Sequence, residues 1–92
     1  MIKTFCCADT EALFLGTRVA RFANIEKVAM RKLAMLNRAQ TLSDLRIPPR
    51  NCLEALVGDR AGQHSIRIND QYRVCFRFQN GDAYDVEIVD YH

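Results

Sequence analysis

Side chains that bind anions or exchange protons concentrate in the last third of the chain. Arg67 and Arg73 carry planar guanidinium groups, whose forked donors suit a phosphate. Glu87, Tyr91 and His92 follow them, so a carboxylate, a phenol and an imidazole come shortly after the arginines. Cleaving an RNA phosphodiester without a metal requires a base for the 2′-hydroxyl, positive charge on the phosphate and an acid for the leaving oxygen. These residue types could supply all three.

The two arginines share a face if the alternation along the predicted strands is preserved. From residue 66 to residue 88, large apolar side chains fall at even positions and charged ones mostly at odd positions. Directly opposed residues in a sheet lie on one face, so an even residue must oppose an even one. A loop at residues 69–71 obeys this rule and pairs Arg67 with Arg73. Two like charges then lie side by side and need a counter-charge.

The following turn decides which residue supplies that counter-charge. A two-residue turn at residues 80–81 would set the odd residue Arg77 against an even one and break the rule. A three-residue loop at residues 79–81, with glycine in the left-handed bulge position, keeps the rule and pairs Arg73 with Glu87. We therefore expect the three-residue loop, with Glu87 as the counter-charge.

Two interpretations of these residues remain open at this point. In the first, the arginines hold a phosphate, Tyr91 or His92 exchanges protons with RNA hydroxyls, and Glu54 or Asp90 tunes them. In the second, the charged groups form a surface ion pair worth about 0–1 kcal/mol, and the last residues are a frayed chain end.

The remaining pattern predicts the elements that position these groups. Strands are expected at residues 2–7, 52–57, 64–68, 72–78 and 83–90. Asp9 is the expected N-cap of a short helix that reaches Leu15 and is closed by Gly16. With a second helix behind it, the order is β-α-α-β-β-β-β. This order predicts an α+β fold in which two N-terminal helices pack on one face of a largely antiparallel sheet.

The second helix is predicted by apolar residues that recur at steps of three and four after Phe22. Lys27 and Arg31 fall largely on its other side, so we expect a basic face exposed to water. Residues 41–51 include Pro48 and Pro49, which cannot continue a helix. We expect an ordered loop there, with one helical turn at residues 42–45.

The composition fits one domain over residues 1–92, because 49% of the residues are hydrophobic and the chain is short. No apolar run approaches the roughly 20 residues of a membrane span, and the first residues do not resemble a signal peptide, so we expect a cytoplasmic protein. The four cysteines lack C-x-x-C spacing, which favours reduced thiols and no metal or cofactor. Between residues 18 and 77, 12 Lys or Arg stand against 5 acidic residues, which favours a polyanionic partner.

Residues 53–78, followed by residues 87–92, resemble the HigB toxins of bacterial toxin-antitoxin systems. The pieces G-D-R-x-G at 58–62, S-I-R-I-N-D-Q-Y-R at 65–73 and D-Y-H at 90–92 occur in the same order and spacing. The resemblance implies a RelE-like, microbial-ribonuclease-like fold and an enzyme that enters the ribosomal A site to cut mRNA. It also implies a cognate helix-turn-helix antitoxin that neutralises the toxin and through which the complex binds operator DNA.

The resemblance further implies roles for particular residues. Arg73 would contact the scissile phosphate, and Asp90, Tyr91 and His92 would form the acid–base end of the site. Some family members carry His at the position of Glu54 and Lys at the position of Val57, so the general base stays open between Glu54, Tyr91 and His92. The residues expected to contact RNA are Arg67, Arg60, Arg31 and Lys27.

Two alternatives of a different class accompany this hypothesis. Superfamily relatives of the ParE type poison DNA gyrase by binding and have no ribonuclease site. A catalytically inactive member could persist as an antitoxin-binding protein. The D-Y-H ending favours the nuclease over both.

Overall fold

The second half of the chain forms the sheet in the computed structural model, which describes residues 1–91. Its strands are β1 (Glu54–Ala55), β2 (His64–Arg67), β3 (Tyr72–Gln79) and β4 (Asp82–Asp90). They lie side by side in chain order, and each pairs with the next in the antiparallel sense. Strands that are neighbours in sequence are therefore neighbours in the sheet, which short turns allow.

The helical elements come mostly from the first half. They are α1 (Ala8–Phe14), a 3₁₀ helix at Ala20–Ile25, α2 (Glu26–Arg38), and further 3₁₀ turns at Leu42–Arg46, Pro49–Asn51 and Gly58–Arg60. The two predicted helices and the helical turn in the 41–51 loop are confirmed. The predicted N-cap is wrong, because Cys7 caps α1 and Asp9 lies in its first turn. Gly16 does follow the end of α1 with φ 96°, as predicted.

One apolar core joins the helices to the sheet. From the helical layer it takes Ala29, Leu33 and Leu36, which lie on one side of α2 and are fully buried. The sheet and the residue after β2 contribute mainly even-numbered residues, which are Ile66, Ile68, Val74, Phe76, Val86 and Ile88, and β4 adds Ala83. The predicted α+β fold is thus confirmed, with both helices on one face of an antiparallel sheet. We call this helix-covered side the core face, and the opposite side the polar face.

The segment before α1 is extended but is not the regular strand predicted at residues 2–7. It makes two isolated parallel bridges to β4, Ile2 with Ala83 and Phe5 with Val86. Between these bridges the backbone N–H of Asp85 donates to the hydroxyl of Thr4 at 2.8 Å instead of to a main-chain carbonyl. A side chain thus interrupts the ladder, which explains why no continuous strand forms.

The strand predicted at residues 52–57 is also shorter than expected. Only Glu54 and Ala55 pair with β2. Cys52 has left-handed backbone angles, φ 46° and ψ 54°, which a strand does not accept. After the pair, the chain enters the 3₁₀ turn that begins at Gly58.

The turn between β2 and β3 has the predicted register. Arg67 opposes Arg73 and Ile66 opposes Val74, so even residues face even residues. The side-chain oxygen of Asn69 accepts from two backbone N–H groups in the turn, at 2.8 Å each. This local bonding fixes the loop at residues 69–71.

The turn between β3 and β4 is not the predicted three-residue loop. Asn80 and Gly81 form a two-residue turn, and both have positive φ, 53° and 83°, as a type I′ turn requires. Arg77 consequently opposes Tyr84, the mixed-parity pairing that the prediction avoided. Ala83 instead of Tyr84 is buried at this end of the sheet.

A bulge in β4 restores the parity beyond the turn. Asp85 has φ 55° and lies where the register between the two strands shifts. After the shift, Cys75 opposes Glu87 and Arg73 opposes Val89. The predicted pairing of Arg73 with Glu87 is therefore wrong by two residues, although the predicted faces of these side chains are right. The rule that even residues oppose even residues holds for most of these strands. The structure restores it with a bulge at Asp85 and not with the longer loop that we predicted.

Candidate active site

The polar face is covered by long side chains that meet above one buried thiol. Cys75 is fully buried although it lies on this face. Burial raises the pKa of the Cys75 thiol, so it is a neutral group beneath charged neighbours. The groups around it are Arg60, Arg73, Glu87 and Tyr91. Together with Glu54, which pairs with Arg73, we call this set the arginine site.

Arg73 is the most firmly held member of the arginine site. Its Nε donates to Ser65 Oγ at 2.7 Å, and its Nη2 donates to the carbonyl of Cys52 at 2.5 Å. Only 12% of its side chain is exposed. Among the described residues, its Nη1 makes just a 3.7 Å ion pair with the exposed Glu54 carboxylate. Nε and Nη2 are thus fixed by hydrogen bonds, and Nη1 is held only by the longer ion pair with Glu54.

Arg67 turns away from Arg73 even though the two residues are directly opposed. Its guanidinium pairs with Asp70 in the adjoining turn. Each arginine therefore has its own carboxylate, which removes the like-charge conflict predicted from the register. The predicted counter-charge is wrong, since Asp70 and Glu54 take the role assigned to Glu87.

Glu87 pairs with Arg60 instead. Arg60 Nη1 lies 3.1 Å from Glu87 Oε1 and 3.1 Å from Gln63 Oε1. The 3₁₀ turn that carries Arg60 precedes β2, so it reaches over the polar face from the side of β1. This brings a second guanidinium close to Cys75.

Tyr91 completes the arginine site from the end of β4. Its backbone N–H donates to the carbonyl of Gln71 at 2.5 Å, which ties it to the start of β3. Burial raises the pKa of the Tyr91 phenol, and its hydrogen bond with the Cys75 thiol raises that pKa further. The positive charges of Arg60 and Arg73 act in the opposite direction without reversing the shift. Tyr91 therefore stays a protonated phenol at neutral pH.

Asp90 does not point to the polar face that carries the arginine site. Asp90 opposes Tyr72 and is an even residue, so it lies on the opposite side of β4 from Tyr91. Its carboxylate accepts a 3.0 Å hydrogen bond from the side-chain amide of Gln71. His92, the third residue of the predicted acid–base end, lies outside the described residues.

The predicted RNA-contacting residues divide between the two layers. Arg60 and Arg67 lie on or beside the polar face, whereas Lys27 and Arg31 are exposed on α2. Because α2 packs on the core face, the structure does not bring Lys27 and Arg31 to the arginine site. Arg31 does lie near Lys32, whose pKa is lowered by burial and then by Arg31 and Arg67.

Sequence reasoning missed the groups that hold Arg73. Ser65 is buried beneath it, and the carbonyl of Cys52 closes its other side. Parity alone could have placed Ser65 beside Arg73, because the two residues are near neighbours on the odd face. A backbone carbonyl aimed by a left-handed residue leaves no comparable signal in the sequence. The Arg60–Glu87 pair was missed for a similar reason, since it joins residues 27 positions apart through a loop.

Across residues 1–91, no helix is both long and apolar enough to cross a membrane. Within the same residues, no group of three or more His, Cys, Asp and Glu side chains is placed to hold a metal ion.

The fold and the arginine site together define a small α+β protein with arginine–glutamate pairs on one face of its sheet. Residues 17–92 match the model of the family described as RelE-like toxins of type II toxin-antitoxin systems, HigB. The chain belongs to this HigB-like toxin family, as its sequence motifs led us to expect.

Curated relatives of this chain include two proteins named HigB. Toxin HigB-1 of Vibrio cholerae serotype O1 is 49% identical over 61 residues, which are 66% of this chain and 64% of that protein. Endoribonuclease HigB of Proteus vulgaris is 48% identical over 40 residues, which are 44% of each chain. The matched segments thus span less than two thirds of either relative.

Proposed function

We propose that this chain is the toxin of a type II toxin-antitoxin system and inhibits translation by cutting mRNA on the ribosome. One observation carries the proposal: Arg73 presents a loosely paired guanidinium edge on the same face as the protonated phenol of Tyr91. Family membership and the name of the Proteus vulgaris relative, Endoribonuclease HigB, support it. A cytoplasmic location follows from the proposed target.

The proposed reaction is an internal transesterification. A base removes the proton of the 2′-hydroxyl, and that oxygen forms a new bond to the adjacent phosphorus. The bond from phosphorus to the 5′-oxygen breaks, and an acid protonates the leaving oxygen. Negative charge accumulates on the phosphoryl oxygens in the transition state, where the guanidinium of Arg73 would bind them. A base, a cationic side chain and a proton donor are then sufficient, so we propose a metal-free reaction.

Within this scheme, Tyr91 is the proposed general acid and Glu54 the proposed general base. A phenol whose pKa is raised by burial holds its proton, which suits a donor and not an acceptor. The Glu54 carboxylate is exposed and 3.7 Å from Arg73, so it could approach a 2′-hydroxyl beside the bound phosphate. His92 and Asp90 are retained as contributors to the acid–base end on the strength of the family resemblance alone.

The proposed RNA contacts use two surfaces. Arg60 and Arg67 would hold phosphates that flank the cleaved one, because they lie on or beside the same sheet face. Lys27 and Arg31 would bind ribosomal RNA from the helical layer. Such phosphate contacts weaken as the salt concentration rises, because the release of counterions from the RNA becomes less favourable. The proposed protein partner is a helix-turn-helix antitoxin, which would neutralise the toxin and carry the complex to operator DNA.

The proposal is tested with purified protein, translating ribosomes and mapping of mRNA ends. We expect cuts inside translated codons, and a loss of about 10²- to 10³-fold in cleavage rate for Arg73→Ala. Lys3→Met, an exposed substitution away from the arginine site, is the matched control and should cleave at the wild-type rate. Intact mRNA accompanied by gyrase inhibition would contradict the nuclease and support the ParE-like alternative.

A further inference from the structure

A buried lysine and a buried asparagine connect α2 to the segment that holds Arg73. Lys32 is 7% exposed and Asn51 is fully buried. Lys32 Nζ donates to Asn51 Oδ1 at 2.5 Å. Among the described residues, no carboxylate lies within ion-pair distance of Lys32, so its charge is met by a neutral amide. Burying an ammonium group in this way is costly, which makes a purely space-filling role a poor explanation.

Asn51 uses the rest of its amide to fix the loop around it. Its Nδ2 donates to the carbonyl of Leu45 at 3.0 Å and approaches Met35 Sδ at 3.1 Å. The amide therefore binds α2, through Lys32 and Met35, to the loop that ends at residue 51. A fully buried amide bonded on both sides holds its own backbone in one position.

Cys52, the residue after Asn51, accepts a hydrogen bond from Arg73 through its backbone carbonyl. Cys52 adopts the left-handed conformation, φ 46°, which is unfavourable for a residue with a side chain. This conformation persists only where the surroundings enforce it. It aims the Cys52 carbonyl at Arg73 Nη2, 2.5 Å away.

We propose that Lys32 and Asn51 are positioning residues for Arg73, acting through the left-handed turn at Cys52. The expected effect on catalysis rests on the nuclease function proposed above. The positioning of Arg73 does not depend on that function. Neither side chain contacts Arg73 itself. Their effect is to keep the Cys52 carbonyl on one edge of the guanidinium, so that the opposite edge faces the anion.

The test compares Lys32→Met, which keeps the apolar stem but removes the ammonium, with Lys3→Met as the exposed control. The first readout is the Nε–H signal of Arg73 in ¹⁵N NMR, which needs no activity. We expect this signal to shift and exchange faster with water in Lys32→Met, and to be unchanged in Lys3→Met. If the Arg73 signal in Lys32→Met is the same as in Lys3→Met and in the wild type, the proposal is overturned.

The second readout is cleavage of ribosome-bound mRNA. We expect Lys32→Met to lower kcat by about tenfold or more with little change in KM, because a displaced guanidinium loses transition-state contacts more than binding. If Lys32 acts through Arg73, Lys32→Met should cause no further loss of kcat in a protein that already carries Arg73→Ala. If Lys32→Met instead lowered kcat through a general loss of stability, its full effect would appear in the Arg73→Ala protein as well. Additive losses would overturn the positioning role.

The two proposals fail in distinguishable ways. Absence of cleavage by the wild-type protein would refute the nuclease, and the Arg73 signal would still decide the positioning role. Should Lys32→Met prove too unstable to study, Lys32→Gln keeps a polar side chain at this position, but its amide nitrogen is one bond too short to make the hydrogen bond to Asn51 Oδ1. An Arg73 signal shifted in Lys32→Gln supports the proposal, and an unshifted one contradicts it.

Discussion

The two faces of the sheet are built from the same strands but are held together by different forces. On the core face, most side chains are apolar and buried, and most of them come from the helices and strands. On the polar face, guanidinium and carboxylate groups are paired across loops, and most of them remain partly exposed. Burial of apolar surface gives most of the stability of a small domain, whereas exposed ion pairs give little. We infer that the core face provides most of the stability of the fold and that the polar face provides the groups of the proposed reaction.

The largest expected effect tests the first half of this comparison. Phe76 lies on the core face of β3 with no exposed surface and stacks edge-on with Phe78. Phe76→Ala should lower the free energy of unfolding by about 3–5 kcal/mol, because it removes a buried ring and leaves a cavity. Urea unfolding followed by circular dichroism measures this loss.

The neighbouring residue provides the control for that measurement. Arg77 follows Phe76 on the same strand but points to the polar face, where it is exposed and pairs with Asp85. Arg77→Ala should change the free energy of unfolding by less than about 1 kcal/mol. Equal losses for the two variants would contradict the proposed division between the faces.

The next effect in size concerns the polar face and should appear in activity without a comparable loss of stability. Tyr91→Phe keeps the ring over Cys75 but removes the proposed proton donor, so cleavage should fall by about 10- to 10²-fold. Tyr84→Phe, near the β3–β4 turn, is the matched control and should cleave normally. An unimpaired Tyr91→Phe enzyme would remove the phenol from the mechanism.

The pH dependence of that phenol has a definite sign. A general acid must hold its proton. Because the pKa of Tyr91 is raised, its phenol stays protonated to a pH above the ordinary tyrosine pKa of about 10. Any contribution from Tyr91 is therefore constant through neutral pH and is lost only as pH rises through the raised pKa. The difference in ultraviolet absorbance between wild type and Tyr91→Phe, followed during alkaline titration, reports that pKa. Titration of Tyr91 below pH 10 would contradict this sign.

The fold was predictable because its signals are periodic. Steps of three and four residues identified the buried side of α2, including Leu33 and Leu36, and even-odd alternation identified the core face. The turn after residue 79 was mispredicted for a physical reason. The rule requires matched parity, but a longer loop and a bulge at Asp85 both satisfy it, and periodicity does not distinguish them.

The candidate site was predictable only as far as its strands are regular. Alternation placed Arg67, Arg73 and Tyr91 on one face, and the structure brings Arg73 and Tyr91 together there. Partners supplied by irregular segments were not predictable, since the Cys52 carbonyl and Arg60 reach the site through loops. Local propensity does not determine where such loops come to lie. The roles assigned to these residues remain predictions.

The smallest effect sharpens the comparison by measuring how little the polar face contributes to stability. Arg60 and Glu87 form the better-covered ion pair, with side chains 32% and 26% exposed, whereas Arg77 and Asp85 are 56% and 43% exposed. A double-mutant cycle with Arg60→Met and Glu87→Gln should give a coupling of about 0.5–1 kcal/mol, and the Arg77–Asp85 pair less than about 0.5 kcal/mol. Partial cover strengthens the first pair, because fewer water molecules screen it.

A coupling above about 2 kcal/mol for Arg60 and Glu87 would mean that the polar face also holds the fold together. Substitutions in the arginine site could then not be interpreted as losses of chemistry alone.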